Sequence, residues 1–310
     1  MRNRFAETFY ELGKVDERLC LLVADISPAG SIEKFRKEFP KRFVNTGVAE
    51  QIMVGMAAGM AQRGLRPFVY TIATFALYRP FEFIRNDLCY QDLPVTIVGI
   101  GGGLTYSTLG ATHHAQEDIA IASSIPGLKI ISPCDPSEVE AATRWCAQQE
   151  EGPVYLRLGK AGEPELTQHI QTPWQFGQWR QVQAGESLAI VTYGTVSKQC
   201  IDACKALNEL GLSPSLYFAS TIEPFDHKSM EEILNTHQTV LVVEEHISFG
   251  GLGMRIKSFA LDNFMGSKIK VLSLPQAFSH IYGTHHELLR TFGISSDRIC
   301  EVAQALIEIN

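Results

Sequence analysis

The chain has 310 residues, 45% of them apolar, and a net charge of −7 with lysines and arginines dispersed along it. That length suits two domains of ordinary size, and the lack of a basic, aromatic-rich patch argues against nucleic acid as a partner. No run approaches the roughly 20 apolar residues that cross a bilayer, and the N-terminal MRNRFAETFYELGK lacks an apolar signal core, so a cytoplasmic protein with no membrane partner is expected.

Between Arg18 and Arg157, short β-rich runs alternate with helical patterns. LCLLVAD (19–25), FVN (43–45), RPFVYT (66–71), PVTIVGI (94–100), LKIIS (128–132) and PVYLRL (153–158) do not alternate polar with apolar, which suits strands covered on both faces. The stretches 31–38, 49–63, 76–90, 115–124 and 136–149 suit helices, so the reading is a parallel sheet with right-handed crossovers. Ligands of such sheets sit at the carboxyl ends of strands. Asp25, Glu50, Thr74-Phe75 and the glycine-rich stretch from Gly99 to Gly110 all follow strands and can meet at one rim.

In the helix that begins near Ala49, the expected inward face is Ile52, Gly55, Met56, Gly59 and Met60. Glycine costs about 1 kcal/mol inside a helix, so two on one face imply that another backbone comes close there. Glu50 lies in the first turn, where a carboxylate complements the helix dipole whether or not it has a further task. Phe75, Tyr78 and Phe81 recur at i, i+3 and i+6, the spacing of an aromatic stripe. Gly101-Gly102-Gly103 marks a turn but lacks the GK[ST] ending of a phosphate loop, and His113-His114 lack the HExxH spacing or cysteine companions of a metal site. Cys20, Cys89, Cys134, Cys146, Cys200, Cys204 and Cys300 form no CxxC pair and read as reduced, mostly buried thiols.

Residues 164–182 are polar, carry Pro164 and Pro173, and read as a linker between a first domain, 1–163, and a second, 183–310. Strand-like runs recur at 187–193, 213–219, 239–245 and 269–274, alternating with helical stretches at 196–210, 227–236, 251–262 and 297–309. The fold class is thus α/β, with two mostly parallel twisted sheets and helices on both faces of each.

GVAEQIMVGMAAG (47–59), TIATFALYRPFEFIRND (71–87), the run from Thr112-His113 through Ile125-Pro126 to Pro133-Cys134-Asp135, and PVYLRLGK (153–160) together resemble the pyrimidine-binding domain of the transketolase family of thiamine-diphosphate enzymes. Thr192-Tyr193-Gly194-Thr195 and VVEEHISFGGLG (242–253) resemble the C-terminal domain shared by transketolases and the β subunits of 2-oxo-acid dehydrogenases. The resemblance implies that Glu50 bonds N1′ of the cofactor's aminopyrimidine and favours the imino form that activates the thiazolium. By the same match Tyr78 stacks on that ring and Phe75 and Phe81 complete its pocket; Asp25, placed at the rim by following a strand, is the further cofactor-binding candidate. His113 would face substrate oxygens and move protons, while Arg157, assisted by Lys160, would grip a phosphate or carboxylate. Glu244, Glu245 and His246 take the family's structural or interface role.

Two departures stand out. Leu109-Gly110-Ala111 replaces the family's Asp-Gly-Pro, and Gly101 falls where a family histidine meets substrate phosphate. No GDG motif occurs, so Mg²⁺ and the diphosphate are expected on a partner chain of similar size, in an α2β2 assembly. The implied activity is transfer of a two-carbon ketol unit between sugar or sugar-phosphate substrates by a split transketolase. The alternatives are a deoxyxylulose-phosphate-synthase-like ligase, a 2-oxo-acid dehydrogenase β-type subunit, or a non-catalytic partner that keeps the interface without the chemistry.

Overall fold

The computed structural model describes residues 1–26 and 30–308 and contains two sheets. The strands are β1 (Leu19–Val23), β2 (Phe43–Asn45), β3 (Arg66–Ile72), β4 (Thr96–Ile100), β5 (Lys129–Ile131), β6 (Val154–Leu158), β7 (Arg180–Gln183), β8 (Ala189–Thr192), β9 (Ser215–Phe218), β10 (Thr221–Glu223), β11 (Thr239–Ile247) and β12 (Lys268–Leu274). They form one sheet in the order β10-β5-β6-β4-β3-β1-β2 and another in the order β12-β11-β8-β9-β7. All neighbours are parallel except β10 on β5 and β7 on β9. Among the described residues no helix is long and apolar enough to cross a membrane.

The non-alternating strands are buried on both faces, as their sequence requires. Cys20, Leu22 and Val69 point into a core with Met53, Val54 and Ala57 of the helix Glu50–Gln62. Leu21, Val23 and Phe68 point the other way, onto Phe5, Phe9 and Phe35. Burying each such side chain stabilises the fold by about 1.5–3 kcal/mol. Phe5 and Phe9 belong to a helix, Arg2–Val15, that the sequence pattern left unassigned; Phe5 lies 5.8 Å from Tyr70 and Phe9 4.9 Å from Phe68, ring centre to ring centre.

Several expectations are corrected. The inward face of Glu50–Gln62 is Met53, Val54, Ala57, Ala58 and Ala61, whereas Ile52 and Met56 are exposed, and a Cβ on Gly59 would meet nothing within 4 Å. The helix is apolar nearly all round, so periodicity does not select a side. Ala57, Ala58 and Ala61 are buried with Met53 and Val54, and the Ile52-Met56 face remains open in the single chain. The supposed linker 164–182 ends in a strand: β7 pairs antiparallel with β9, Arg180 opposite Phe218. Its polar residues fit a sheet edge, where one side meets water. β10 leaves the second half of the chain to pair with β5, Thr221 opposite Ile131, so the first sheet is completed by a distant segment. The stretch expected to be one helix over 76–90 is broken into Ala73–Leu77, Phe81–Phe83 and a π-helical turn, Ile84–Cys89. Pro80 lacks the N–H that an unbroken helix would use there. The last helix runs Ser296–Glu308, and residue 309 of its expected span lies outside the described residues.

Candidate active site

The order of the first sheet reverses at β1, which has β2 on one side and β3 on the other. In open parallel sheets the crevice at such a reversal, beyond the carboxyl ends of the strands, is the usual ligand site. Asp25 follows β1, Glu50 follows β2, Phe75 follows β3, His113 follows β4 and Lys160 follows β6.

At the β1 end, Asp25 is exposed and has φ = 48°, a left-handed backbone held by a bond from its N–H to Asn45 Oδ1 at 3.0 Å. The same oxygen accepts from the Gly47 N–H at 3.0 Å, so Asn45 organises the two loops that flank the crevice. Glu50 opens its helix and is only 2% exposed, yet its carboxylate faces the rim. Arg79 Nη1 donates to both of its oxygens, at 2.9 and 3.0 Å. The same guanidinium lies 4.1 Å from the ring centre of Phe75, within cation–π reach.

Phe75 in turn meets His113 edge to face, with ring centres 5.3 Å apart. The His113 ring is also edge-on to Tyr106 at 6.2 Å and shares a 2.9 Å hydrogen bond between Nδ1 and Thr112 Oγ1. Partial burial and the nearby Arg79 charge lower the His113 pKa below its usual 6.5. Tyr106 is pressed against Gly101, where φ is +89° and a Cβ would come within 2.0 Å of the ring. Only glycine allows this packing, so the glycine-rich stretch serves side-chain placement here. Lys160 Nζ sits 5.3 Å from the Tyr106 ring centre and has no carboxylate partner among the described residues. It also borders a cavity of about 210 Å³ between the two sheets' units, with Thr105, Thr195, Lys198, His285 and His286.

The structure therefore brings Glu50, Phe75 and His113 into one contiguous group. It gives other surroundings to Tyr78, Phe81 and Arg157. The Tyr78 hydroxyl donates to Glu117 Oε2 at 3.0 Å, and burial, with the charges of Asp118 and Glu117, raises its pKa. Phe81 packs against the core beneath the rim. Arg157 is buried: its Nε donates to Asp118 Oδ2 at 2.7 Å, and its Nη2 to the carbonyls of Ala115 and Glu245, both at 3.1 Å. Tyr155 Oη donates to the same Asp118 oxygen at 2.7 Å, so the guanidinium is committed to an internal network and does not reach the rim as an anion grip.

The acidic pair of the second half is also internal. Glu245 accepts from Leu104 N at 2.6 Å, Thr195 Oγ1 at 2.6 Å and His285 Nε2 at 2.7 Å. Burial pushes the Glu244 carboxyl up to about 7, against the lowering effect of its bonds from Gly253 N, Tyr193 Oη and Leu252 N. His246 Nε2 accepts from Ala120 N at 3.3 Å while Nδ1 is bonded to the Ile247 carbonyl at 2.6 Å, which occupies both ring nitrogens. His114, beside His113, is 3% exposed, and burial lowers its pKa.

Sequence reasoning missed Arg79 and Tyr106. Arg79 is four residues after Phe75, the spacing of one helical face, a signal that was present although the helix ends at Leu77. Its pairing with Glu50, 29 residues away, had none. A second cavity of about 730 Å³, lined by Phe225, His227, Met254, Arg255 and Phe259, holds none of the rim residues.

Residues 1–162 match the transketolase pyrimidine-binding domain, and residues 177–299 the transketolase C-terminal domain. The chain is 30% identical to one of the subunits of apulose-4-phosphate transketolase of Phocaeicola vulgatus, over 99% of this chain and 97% of that one. It is 34% identical to a putative transketolase C-terminal section of Methanocaldococcus jannaschii, over 97% and 94%. It is 30% identical to 1-deoxy-D-xylulose-5-phosphate synthase of Bacillus mycoides, over 97% of this chain and 48% of that longer protein. Among solved structures, a split-gene transketolase described as an inactive β4 tetramer superposes with a TM-score of 0.87 at 29% identity, covering 99% and 97%. Transketolase from Leishmania mexicana shares the fold, with a TM-score of 0.80 at 19% identity and 45% of its length covered. The chain belongs to the transketolase family.

Proposed function

We propose that this chain is the pyrimidine-binding subunit of a two-chain, thiamine-diphosphate-dependent transketolase. The observation that carries the reading is Glu50: a carboxylate 2% exposed, at a helix start on the crevice rim, beside an aromatic face. Burying a carboxylate is costly unless a donor meets it. Its side-chain donor among the described residues is an arginine that is itself 40% exposed, so a flat nitrogen heterocycle can take that donor's place. The residues present thus fit an aminopyrimidine: Glu50 to bond its ring nitrogen, Phe75 to stack on it, Tyr78 and Phe81 to support that wall, and Asp25 at the rim. When bound, the cofactor supplies a carbon nucleophile and an electron sink for a two-carbon ketol unit.

This chain's residues then bind and orient. His113, held by Thr112 and wedged between Phe75 and Tyr106, is placed to pass a proton to or from a substrate oxygen, and its lowered pKa keeps it neutral and able to accept at pH 7. Lys160, a cation above Tyr106 with no carboxylate partner among the described residues, takes the anion-binding role that the resemblance gave to Arg157, and Arg157 supports the rim from beneath. The substrate class is a sugar phosphate, in keeping with the relative named for apulose 4-phosphate. The diphosphate and Mg²⁺ are assigned to a partner chain, a reading supported by the relatives described as a transketolase subunit, a transketolase C-terminal section and a split-gene transketolase. The exposed Val48, Ile52 and Met56 mark the face that another chain covers, in an assembly of α2β2 type. Alone, the chain is expected to be inactive, as its structural neighbour is in the β4 form.

The test is donor profiling in the complex reconstituted with the diphosphate-binding chain. Hydroxypyruvate should serve and pyruvate should not. Pyruvate-dependent ligation would favour the second reading, a deoxyxylulose-phosphate-synthase-like activity, which the 30% identity to that enzyme keeps in view. Turnover unchanged by Glu50→Ala would make the chain a non-catalytic partner.

A further inference from the structure

We infer that Arg79 is an internal stand-in for the cofactor's aminopyrimidine, which occupies its place in the free chain and must swing out before the ring can bind. This rests on the role proposed for Glu50 and adds to it a positioning residue that holds the site ready and closed.

The two groups make matching contacts. An aminopyrimidine in this crevice needs a nitrogen facing the Glu50 carboxylate and a flat π surface against Phe75. The Arg79 guanidinium is flat, carries N–H donors, reaches both Glu50 oxygens at 2.9 and 3.0 Å, and lies 4.1 Å from the Phe75 ring centre. Two flat groups cannot share that face of Phe75 and the same carboxylate. Arg79 is the one free to move: its side chain is 40% exposed, while Glu50 is 2% exposed on a packed helix. The pairing also gives the buried Glu50 carboxylate a donor in the free chain, without which its burial would be costly. Once the ring displaces it, the arginine returns to water at little expense.

A state that must be vacated weakens apparent affinity by the fraction of molecules already vacant. Removing Arg79 should therefore strengthen binding of the isolated ring, whereas a merely structural arginine would leave it unchanged or weaken it. The probe is 4-amino-5-hydroxymethyl-2-methylpyrimidine, titrated calorimetrically into the full chain, which needs no partner and no turnover. Arg79→Ala should bind it about tenfold more tightly than the wild type, as expected if the closed state holds roughly nine molecules in ten. Arg79→Lys, which keeps the charge without the planar fork, should fall between the two and serves if the alanine variant unfolds. The gain should vanish in Arg79→Ala combined with Glu50→Gln.

Equal affinities in the wild type and both Arg79 variants, all dependent on Glu50, would overturn the stand-in and leave the Glu50 reading intact. Binding that is indifferent to Glu50→Gln, or no binding by any variant, would overturn the Glu50 reading and the stand-in with it.

Discussion

Glu245, on β11 of the second sheet, accepts a 2.6 Å hydrogen bond from the backbone N–H of Leu104, in the glycine-rich segment after β4 of the first. The contact is possible because Gly103, at φ = +64°, lacks the Cβ that would lie 2.5 Å from the Glu245 carboxyl carbon. Thr195 and His285 complete the carboxylate's bonding, so one buried acid ties the loop that carries His113 to three segments of the second half.

The clamp has a pH signature. Burial alone would lower the His285 pKa, but the charge and hydrogen bond of Glu245 raise it above the usual 6.5; burial would raise that of Glu245, but His285, Thr195 and Leu104 lower it below the usual 4.5. The His285 contribution is fully present below about pH 6.5 and is lost as pH rises through the raised value. The Glu245 contribution is present above about 4.5 and is lost as pH falls through the lowered one. His285→Gln should cost about 1.5–3 kcal/mol near pH 6, with a smaller penalty at pH 9, as measured by urea unfolding at each pH. A penalty independent of pH would show that the pair is not ionised.

Glu244 should act separately. With its pKa raised to about 7, the folded state holds a proton that the unfolded chain releases above about 4.5, so its contribution to stability falls as pH rises from 4.5 to 7. Glu244→Gln should flatten that part of the stability profile relative to the wild type.

Arg157 and Lys160 should separate structure from substrate. Arg157→Ala strips the partner from buried Asp118 and should destabilise the fold by about 3–5 kcal/mol. Lys160→Ala should change stability by no more than about 0.5 kcal/mol, yet raise KM for phosphorylated acceptors and not for unphosphorylated ones. Equal effects of Lys160→Ala on both acceptor classes would remove it from the anion site.

For His113, NMR titration of the ring should give a midpoint below 6.5, moving upward in Arg79→Ala as the neighbouring positive charge disappears. No change would mean that burial alone sets its pKa.

Much of this arrangement was legible in the residues. LCLLV and TIVGI do not alternate and are buried throughout as β1 and β4. The rule that ligands sit beyond strand ends put Asp25, Glu50, Thr74-Phe75 and the glycine-rich 99–110 stretch at one rim, and each does follow a strand. Arg157 was read as an anion grip from the resemblance, although it lies in PVYLRL, a run of the kind covered on both faces, and as part of β6 it is buried. The packed face of Glu50–Gln62 was not legible, since the exposed Ile52 and Met56 are as apolar as the buried Met53 and Val54. Nor was β7, whose polar RQVQ lies at an edge, or the Arg79–Glu50 pair, which joins a helix start to a turn 29 residues away.

The most direct test is turnover of hydroxypyruvate by the chain alone, by its complex with the diphosphate-binding subunit, and by the same complex carrying Glu50→Gln, each with thiamine diphosphate and Mg²⁺. If Glu50 activates a cofactor anchored by another chain, the chain alone is inactive, the complex transfers the ketol unit, and Glu50→Gln loses about a hundredfold or more. Turnover by the unassisted chain, or a Glu50→Gln complex as fast as the wild type, would contradict it.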